Sequence, residues 1–355
     1  MRNSIIICMA AATCLVLVAP GGAATWTVDD DMVECPTADF AHPQDAVNAA
    51  EPFDTILVYP GTYGSRQYTS PTPPHWSASN DQYAPALIVY KNGLTIQAAD
   101  PDPAKTTIQS THDCWSNPVA IQASTGGTWD GSKYVGAGVY PAGGTAPNAV
   151  CIIASNVTIT GFTLRKPYMG VAWPGFWNTA GVMIGGLYAG DPDHLGSDEN
   201  TVSKCVFQDV WHAVYIWHSS DNMIVNNYVA PLGNATGHWA AISIYDGYND
   251  DQINLGYTSM YNRIINNTVS DKGIAVGAWA PSILTDNTGT KVHGNIATSL
   301  GATYSTGKVV FSGNKVTEGC WSYLADDAIF PGKSNHEPPE GWKNHGQAID
   351  QTASE

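Results

Sequence analysis

His218 and Asp246 are the residues of this chain best suited to moving a proton. Each follows an aromatic residue, Trp217 or Tyr245, that closes a short apolar run of one pattern, Val214-Tyr-Ile216 and Ile242-Ser-Ile244. If those runs are neighbouring strands of a parallel sheet, His218 and Asp246 stand about 4.8 Å apart along the stack. The carboxylate then fixes the tautomer of an imidazole acting as general base. By the period of two, Tyr215, Trp217, Ser243 and Tyr245 point outward from the same strands, and Trp211, His212, His238 and Trp239 thicken the cluster. Aromatic faces stack on the C–H faces of pyranose rings and edge polar groups bond to hydroxyls, so the chemistry expected is recognition of a sugar polymer. The competing reading is that these rings cover a sheet face beneath a loop. Hydrolysis would require two carboxylates at a defined separation, for which Asp246 with Asp250 or Asp251 is the nearby pair.

What would hold these residues in register is a recurring frame. An apolar residue, an Asn three positions on and a further residue two beyond recur as Ile224/Asn227/Val229, Ile264/Asn267/Val269, Val292/Asn295/Ala297 and Phe311/Asn314/Val316. The frame extends backwards as Val202/Cys205/Phe207 and Ile159/Phe162/Leu164. Repeated short strands, each with an inward Asn, are the signature of a right-handed parallel β-helix, in which equivalent Asn side chains of successive coils bond to one another. A buried Asn without such partners would be costly, so the repeat implies a ladder. The inward pairs Val182/Ile184, Val214/Ile216, Ile242/Ile244 and Ile274/Val276 mark one sheet of that helix, with Met183, Gly185, Ala275 and Gly277 among its outward positions.

At the start of the frame, Thr25 to Val28 reads as a strand, Pro43 to Ala50 as a short helix with Ala46, Val47 and Ala50 on one face, and Asp54 to Tyr63 as a buried strand closed by Pro60-Gly61. With Asp45-Ala-Val-Asn-Ala-Ala50 as capping helix and Asp54-Thr-Ile-Leu-Val-Tyr-Pro-Gly-Thr-Tyr63 as first coil, the chain resembles the pectin-lyase-like superfamily of single-stranded right-handed β-helices. From these segments the resemblance extends to the coil-like stretches from Leu87 to about Val316. It implies an all-β fold with a short N-terminal capping helix and says little of activity, since the fold carries lyases, hydrolases, esterases, epimerases and non-enzymes.

That resemblance gives a second constellation its meaning. Polysaccharide lyases of this fold use a Lys or Arg as the base beside a uronate and a cation to neutralise the carboxylate. Arg165-Lys166-Pro-Tyr168 follows the Ile159 to Leu164 strand, which makes Lys166 the candidate base and Arg165 a substrate contact, against the alternative of a solvated corner pair. Tyr188-Ala-Gly-Asp-Pro-Asp-His194 resembles the Tyr-x-x-Asp-Pro-His motif of mannuronan C5-epimerases but has Asp193 inserted before the His. Equally, Asp191, Asp193 and Asp198 offer oxygen ligands for calcium, as do Asp29 to Asp31.

The whole chain sets bounds on partners. It has 355 residues, 13% of them charged, 15 basic residues and a formal net charge of −16. That balance opposes binding to nucleic acid or anionic membranes, and makes an acidic polysaccharide awkward unless calcium intervenes. Arg2, the apolar run Ile5 to Val18 and Gly22-Ala23-Ala24 read as a signal peptide over 1–24, so export to the periplasm or medium is expected, without a later membrane span. A single β-helix domain is expected over 25–330, with a polar tail at 331–355, the whole a monomer. Of seven cysteines, Cys8 and Cys14 fall in the leader, leaving Cys35, Cys114, Cys151, Cys205 and Cys320. Cys205 sits in the ladder frame as a small apolar residue, and Cys35 with Cys114 is the expected bridge. Between Asp100 and Asn148 the periodicity lapses, and the Gly- and Pro-rich 126–147 reads as an excursion walling a cleft or as a disordered insertion.

Overall fold

A computed structural model describes residues 22–64, 86–110, 127–129, 134–136, 148–165, 180–185, 197–210, 212–217, 219–231, 240–246, 259–278, 286–305 and 309–324. The chain winds as a right-handed parallel β-helix with three faces. The first face is a nine-stranded sheet running from Thr25–Val28 through Thr55–Val58, Thr95–Ala98, Thr158–Thr160, Thr201–Ser203, Met223–Val225, Arg263–Ile265 and Lys291–His293 to Val310–Ser312. A second sheet of 14 strands supplies the other two faces. It is continuous because the ten-residue strands Ile296–Ser305 and Lys315–Leu324 bend from the second face onto the third.

The interior follows from alternation. Ile56, Ile96, Ile159, Val202, Ile224, Ile264, Val292 and Phe311 stack in register down the first face, all fully buried. Neighbouring strands are close to 4.8 Å apart, so each branched side chain fills the space above its counterpart.

The Asn frame forms the expected ladder at the corner between the first and second faces. Oδ1 of Asn267 accepts from both N and Nδ2 of Asn227 at 3.0 Å, and Oδ1 of Asn295 accepts from N and Nδ2 of Asn267 at 2.8 and 3.0 Å. Asn314 serves Asn295 in the same way, and Cys205 N donates to Asn227 Oδ1 at 2.9 Å. A second ladder, which the frame did not announce, lines the corner between the third and first faces. Asn200 N donates to Asn222 Oδ1 and Asn222 N to Asn262 Oδ1, both at 3.0 Å. Its sequence signal is Ser-x-x-Asn in Ser197/Asn200, Ser219/Asn222 and Ser259/Asn262, where Asn262 Nδ2 donates to the carbonyl oxygens of Ser219 and Ser259.

Each corner turns through a left-handed residue placed just before the ladder position. Asn156, Glu199, Asp221 and Tyr261 have φ of 57–59° at one corner, and Lys204, Asn226 and Asn266 have φ of 53–56° at the other. Asn accepts this conformation readily; Lys, Glu and Tyr do so at a cost.

The N-terminal end is closed by the helix Pro43–Ala49. Its cap is His42, whose Nδ1 accepts from Gln44 N at 3.1 Å. Ala46, Val47 and Ala50 are fully buried against the first coil. Gln44 acts as a short substitute strand: its Oε1 accepts from Ile88 N at 2.7 Å and its Nε2 donates to Ile88 O at 3.1 Å. The expected strand over Asp54 to Tyr63 divides into Thr55–Val58 and Gly61–Gly64, because the Tyr59-Pro60 corner carries the chain from one face to the next. The lapse expected from Asp100 begins later. A 3-10 turn at Pro103–Lys105 leads into the strand Thr106–Gln109, whose Thr-Thr start hid its alternation. Within the 126–147 excursion, Gly127–Trp129 pairs antiparallel with Tyr134–Gly136.

Candidate functional site

The third face runs through Leu87–Val89, Val150–Ile152, Ala180–Ile184, His212–Ile216, Ala240–Asp246 and Gly273–Ala278. The inward pairs expected from sequence stack as drawn: Val182, Val214, Ile242 and Ile274 are in register, as are Ile184, Ile216, Ile244 and Val276. The outward positions are therefore fixed. Met183, Tyr215, Ser243 and Ala275 form one outward column, and beyond it the backbone register sets Tyr245 opposite Gly277 and Asp246 opposite Ala278. Connections of ten residues or more enter this face after 64, 109, 165 and 229 and leave it after 184, 246 and 278, so it is the face on which added chain length concentrates.

Four side chains converge there. The rings of Tyr215 and Trp217 meet edge to face at 5.6 Å, and His212 packs against Tyr215 at 5.1 Å. His212 Nδ1 lies 3.3 Å from Ser243 Oγ on the next coil. Ser219 Oγ donates to the Trp217 carbonyl at 2.9 Å, which holds the corner after the ring. Gly185, at φ 93°, is required beneath it, since a Cβ at this position would run into the Trp217 carbonyl oxygen and Ser219 Oγ.

The sequence left open whether the outward rings form an exposed platform or cover a sheet face. Tyr215 is 8% exposed and Trp217 1% exposed, and His212 and Ser243 are 3% and 0% exposed. Alternation alone could say that these side chains leave the core; it could not say that the outer side of the sheet is itself covered. Tyr245 and Asp246 are placed by their backbone, adjacent to the cluster. His218, Lys166, His238, Trp239, Trp211, Asp191 and Asp193 lie outside the described residues.

Arg165 closes the second-face strand Thr163–Arg165 and binds Asp209 through Nε at 2.8 Å, both side chains being roughly half exposed. It therefore bridges two coils on another face. Asp198 sits at the corner before Thr201–Ser203, where its Oδ1 accepts from Ser220 N at 2.7 Å. Burial raises its carboxyl, with the charges of Asp221 and Glu199 adding to the rise and the Ser220 hydrogen bond opposing it. Lys272, which sequence did not single out, is buried at the entry to the third-face strand Gly273–Ala278, and burial lowers its amine against the pull of Asp271.

Among the described residues, one carboxylate group has ligand spacing: oxygens of Asp29, Asp30 and Asp31 all lie within 4.8 Å of one another. Asp29 is buried and its Oδ2 accepts from Cys35 N at 2.6 Å. Cys35 carries a free thiol, and Cys114, its expected partner, lies outside the described residues. Cys151 and Cys205 are free as well, their thiols pushed up by burial to about 12 and about 11, which leaves them inert. No helix among the described residues is long and apolar enough to cross a membrane.

No protein-family model and no curated protein matches this chain. Solved structures do. The pectin methylesterase PemA from Erwinia chrysanthemi is similar at 10% identity and a TM-score of 0.36, over 85% of this chain and 80% of that one. A pectin methylesterase in complex with a hexasaccharide is similar at 10% identity and a TM-score of 0.29, over 84% of this chain and 80% of that one.

Proposed function

We propose that this chain is an exported β-helix that acts on an extracellular polysaccharide across the outer side of its third face, cleaving the polymer by elimination. The observation that supports the reading is the convergence of His212, Tyr215, Trp217 and Ser243 on adjoining coils of that face, beside the strand end that carries Asp246. Rings offer apolar faces to a sugar, and imidazole, hydroxyl and carboxylate groups at their edge offer the hydrogen bonds and the base. His218 and Lys166 are the proposed bases, with Asp246 orienting the imidazole. Calcium is the proposed means by which so acidic a chain would hold a uronate, through Asp191, Asp193 and Asp198 or through the Asp29 to Asp31 group.

The test is to incubate the chain from residue 25 onward with neutral and uronic-acid polysaccharides, with and without calcium, following ultraviolet absorbance and reducing ends. Unsaturated product supports elimination; reducing ends without it mean hydrolysis. Retained binding with neither product would make the chain a non-catalytic surface β-helix. The burial of Trp217 favours that second reading, because a ring closed off from solvent serves as cover as readily as contact.

A further inference from the structure

We infer that Ser243 and His212 form a nucleophile–base pair that removes small acyl groups, acetyl above all, esterified to the sugars of the polysaccharide. The inference rests on the reading that the third face takes a carbohydrate, and it adds a bond type that neither His218, Lys166 nor Asp246 was assigned to. Ser243 Oγ is 3.3 Å from His212 Nδ1, within the somewhat long range that unliganded nucleophile–base pairs adopt. The imidazole is held by its ring contact with Tyr215 at 5.1 Å, and Tyr215 in turn by Trp217 at 5.6 Å. Ser243 is on a central strand, paired on one side with Tyr215 and on the other with Ala275. The column therefore falls from a ring to a hydroxyl to a methyl, a step down in side-chain volume beside the nucleophile. Both members are buried. The low-dielectric surroundings strengthen the Ser–His hydrogen bond, and the small Ala275 beside Ser243 suits the smallest acyl group.

The step balances within the pair. Ser243 Oγ bonds to the ester carbonyl carbon as its proton passes to His212 Nδ1. The bond from that carbon to the sugar oxygen then breaks, and the sugar oxygen takes the proton from His212. Water attacks the acetyl-serine, His212 relaying its proton back to Ser243 Oγ, and acetate with a proton leaves. The sugar hydroxyl is restored and nothing is oxidised or reduced.

The experiment supplies the chain from residue 25 onward with acetylated xylan and with p-nitrophenyl acetate, measures released acetate, and identifies by mass any peptide that carries an acetyl group after acid quenching. Acetate release, an acetyl adduct on the Ser243 peptide, and a loss of at least about 100-fold in Ser243→Ala and in His212→Gln are expected. Absence of acetate release, or release that persists in Ser243→Ala, would overturn the pair. Should Ser243→Ala fail to fold, the wild-type adduct decides alone: acetyl on the Ser243 peptide supports the proposal and its absence sinks it. Elimination is read as ultraviolet absorbance on de-esterified polymer, so failure of one activity is distinguishable from failure of the other.

Discussion

Among single residues, Trp217 and Lys204 occupy opposite situations. Trp217 is closed off from solvent on the outside of a sheet, packed on Tyr215 and braced by Ser219 through its own carbonyl. Trp217→Ala should therefore cost about 3 kcal/mol or more of stability, as truncation of a buried aromatic does. Chemical denaturation would measure it; a loss under 1 kcal/mol would mean that the ring is free to serve as a contact surface. Lys204 stands at a corner with φ 53°, where its coil-to-coil counterparts are Asn226 and Asn266. A left-handed backbone costs a lysine roughly 1–2 kcal/mol that Asn largely avoids. Lys204→Asn should then raise stability by about 0.5–1 kcal/mol, and a decrease would show that the lysine side chain makes a contact outweighing its backbone strain.

At the scale of elements, the ladders decide how coils register. Asn267 gives its Oδ1 to Asn227 and its own donors to Asn295 and to Ile224 O. Asn267→Ala leaves Asn227 N and Nδ2 and the Ile224 carbonyl short of partners inside a buried corner, and should destabilise by about 1–3 kcal/mol. Urea unfolding of the variant gives the value. Asn267→Asp is the sharper comparison, since a carboxylate keeps the acceptor and loses the donors. This ladder was legible because Asn recurs between apolar residues whose inward direction is unambiguous. The second ladder was not, because Asn200, Asn222 and Asn262 stand in polar corner sequence that is indistinguishable from a solvated turn without the coil above. The registers of Val182, Val214, Ile242 and Ile274 could be read for the same reason as the first ladder: a one-residue slip would turn every one of them to the outside. Burial of the outward column could not be read, because it depends on where long connections lie and they carry no period. Pairing of Cys35 with Cys114 could not be read on similar ground, loop composition giving no distance between two thiols.

Across the whole molecule, charge sets a response to pH with opposing parts. A formal charge of −16 on one β-helix is self-repulsive, and mild acid relieves it. Asp198 acts in the same direction: burial raises its carboxyl, so its contribution to stability is present below the unfolded value near 4 and is lost as pH rises through its higher folded value. Asp54 acts the other way. Burial alone would raise it, but hydrogen bonds from Glu51 N, Trp26 Nε1 and Ala24 N, with the charge of Lys91, leave it lowered. Asp39 is lowered by the Thr27 backbone and hydroxyl donors, and Asp100 by Lys105 and the Asp102 backbone. A lowered carboxyl contributes stability above its unfolded value, and that contribution disappears as pH falls through the folded one. The melting temperature should accordingly rise from pH 7 towards about 5 and fall steeply below about 4, as pH drops towards the lowered folded value of Asp54, the staple between the first strand and the helix end. In Asp54→Asn the protein should melt lower at pH 7 and lose part of the steep acid limb, because the group that titrates there is gone. A limb unchanged in that variant would assign acid unfolding to other carboxylates, and a melting temperature that falls steadily from pH 7 would show that the native hydrogen bonds of the carboxylates outweigh repulsion across the whole range.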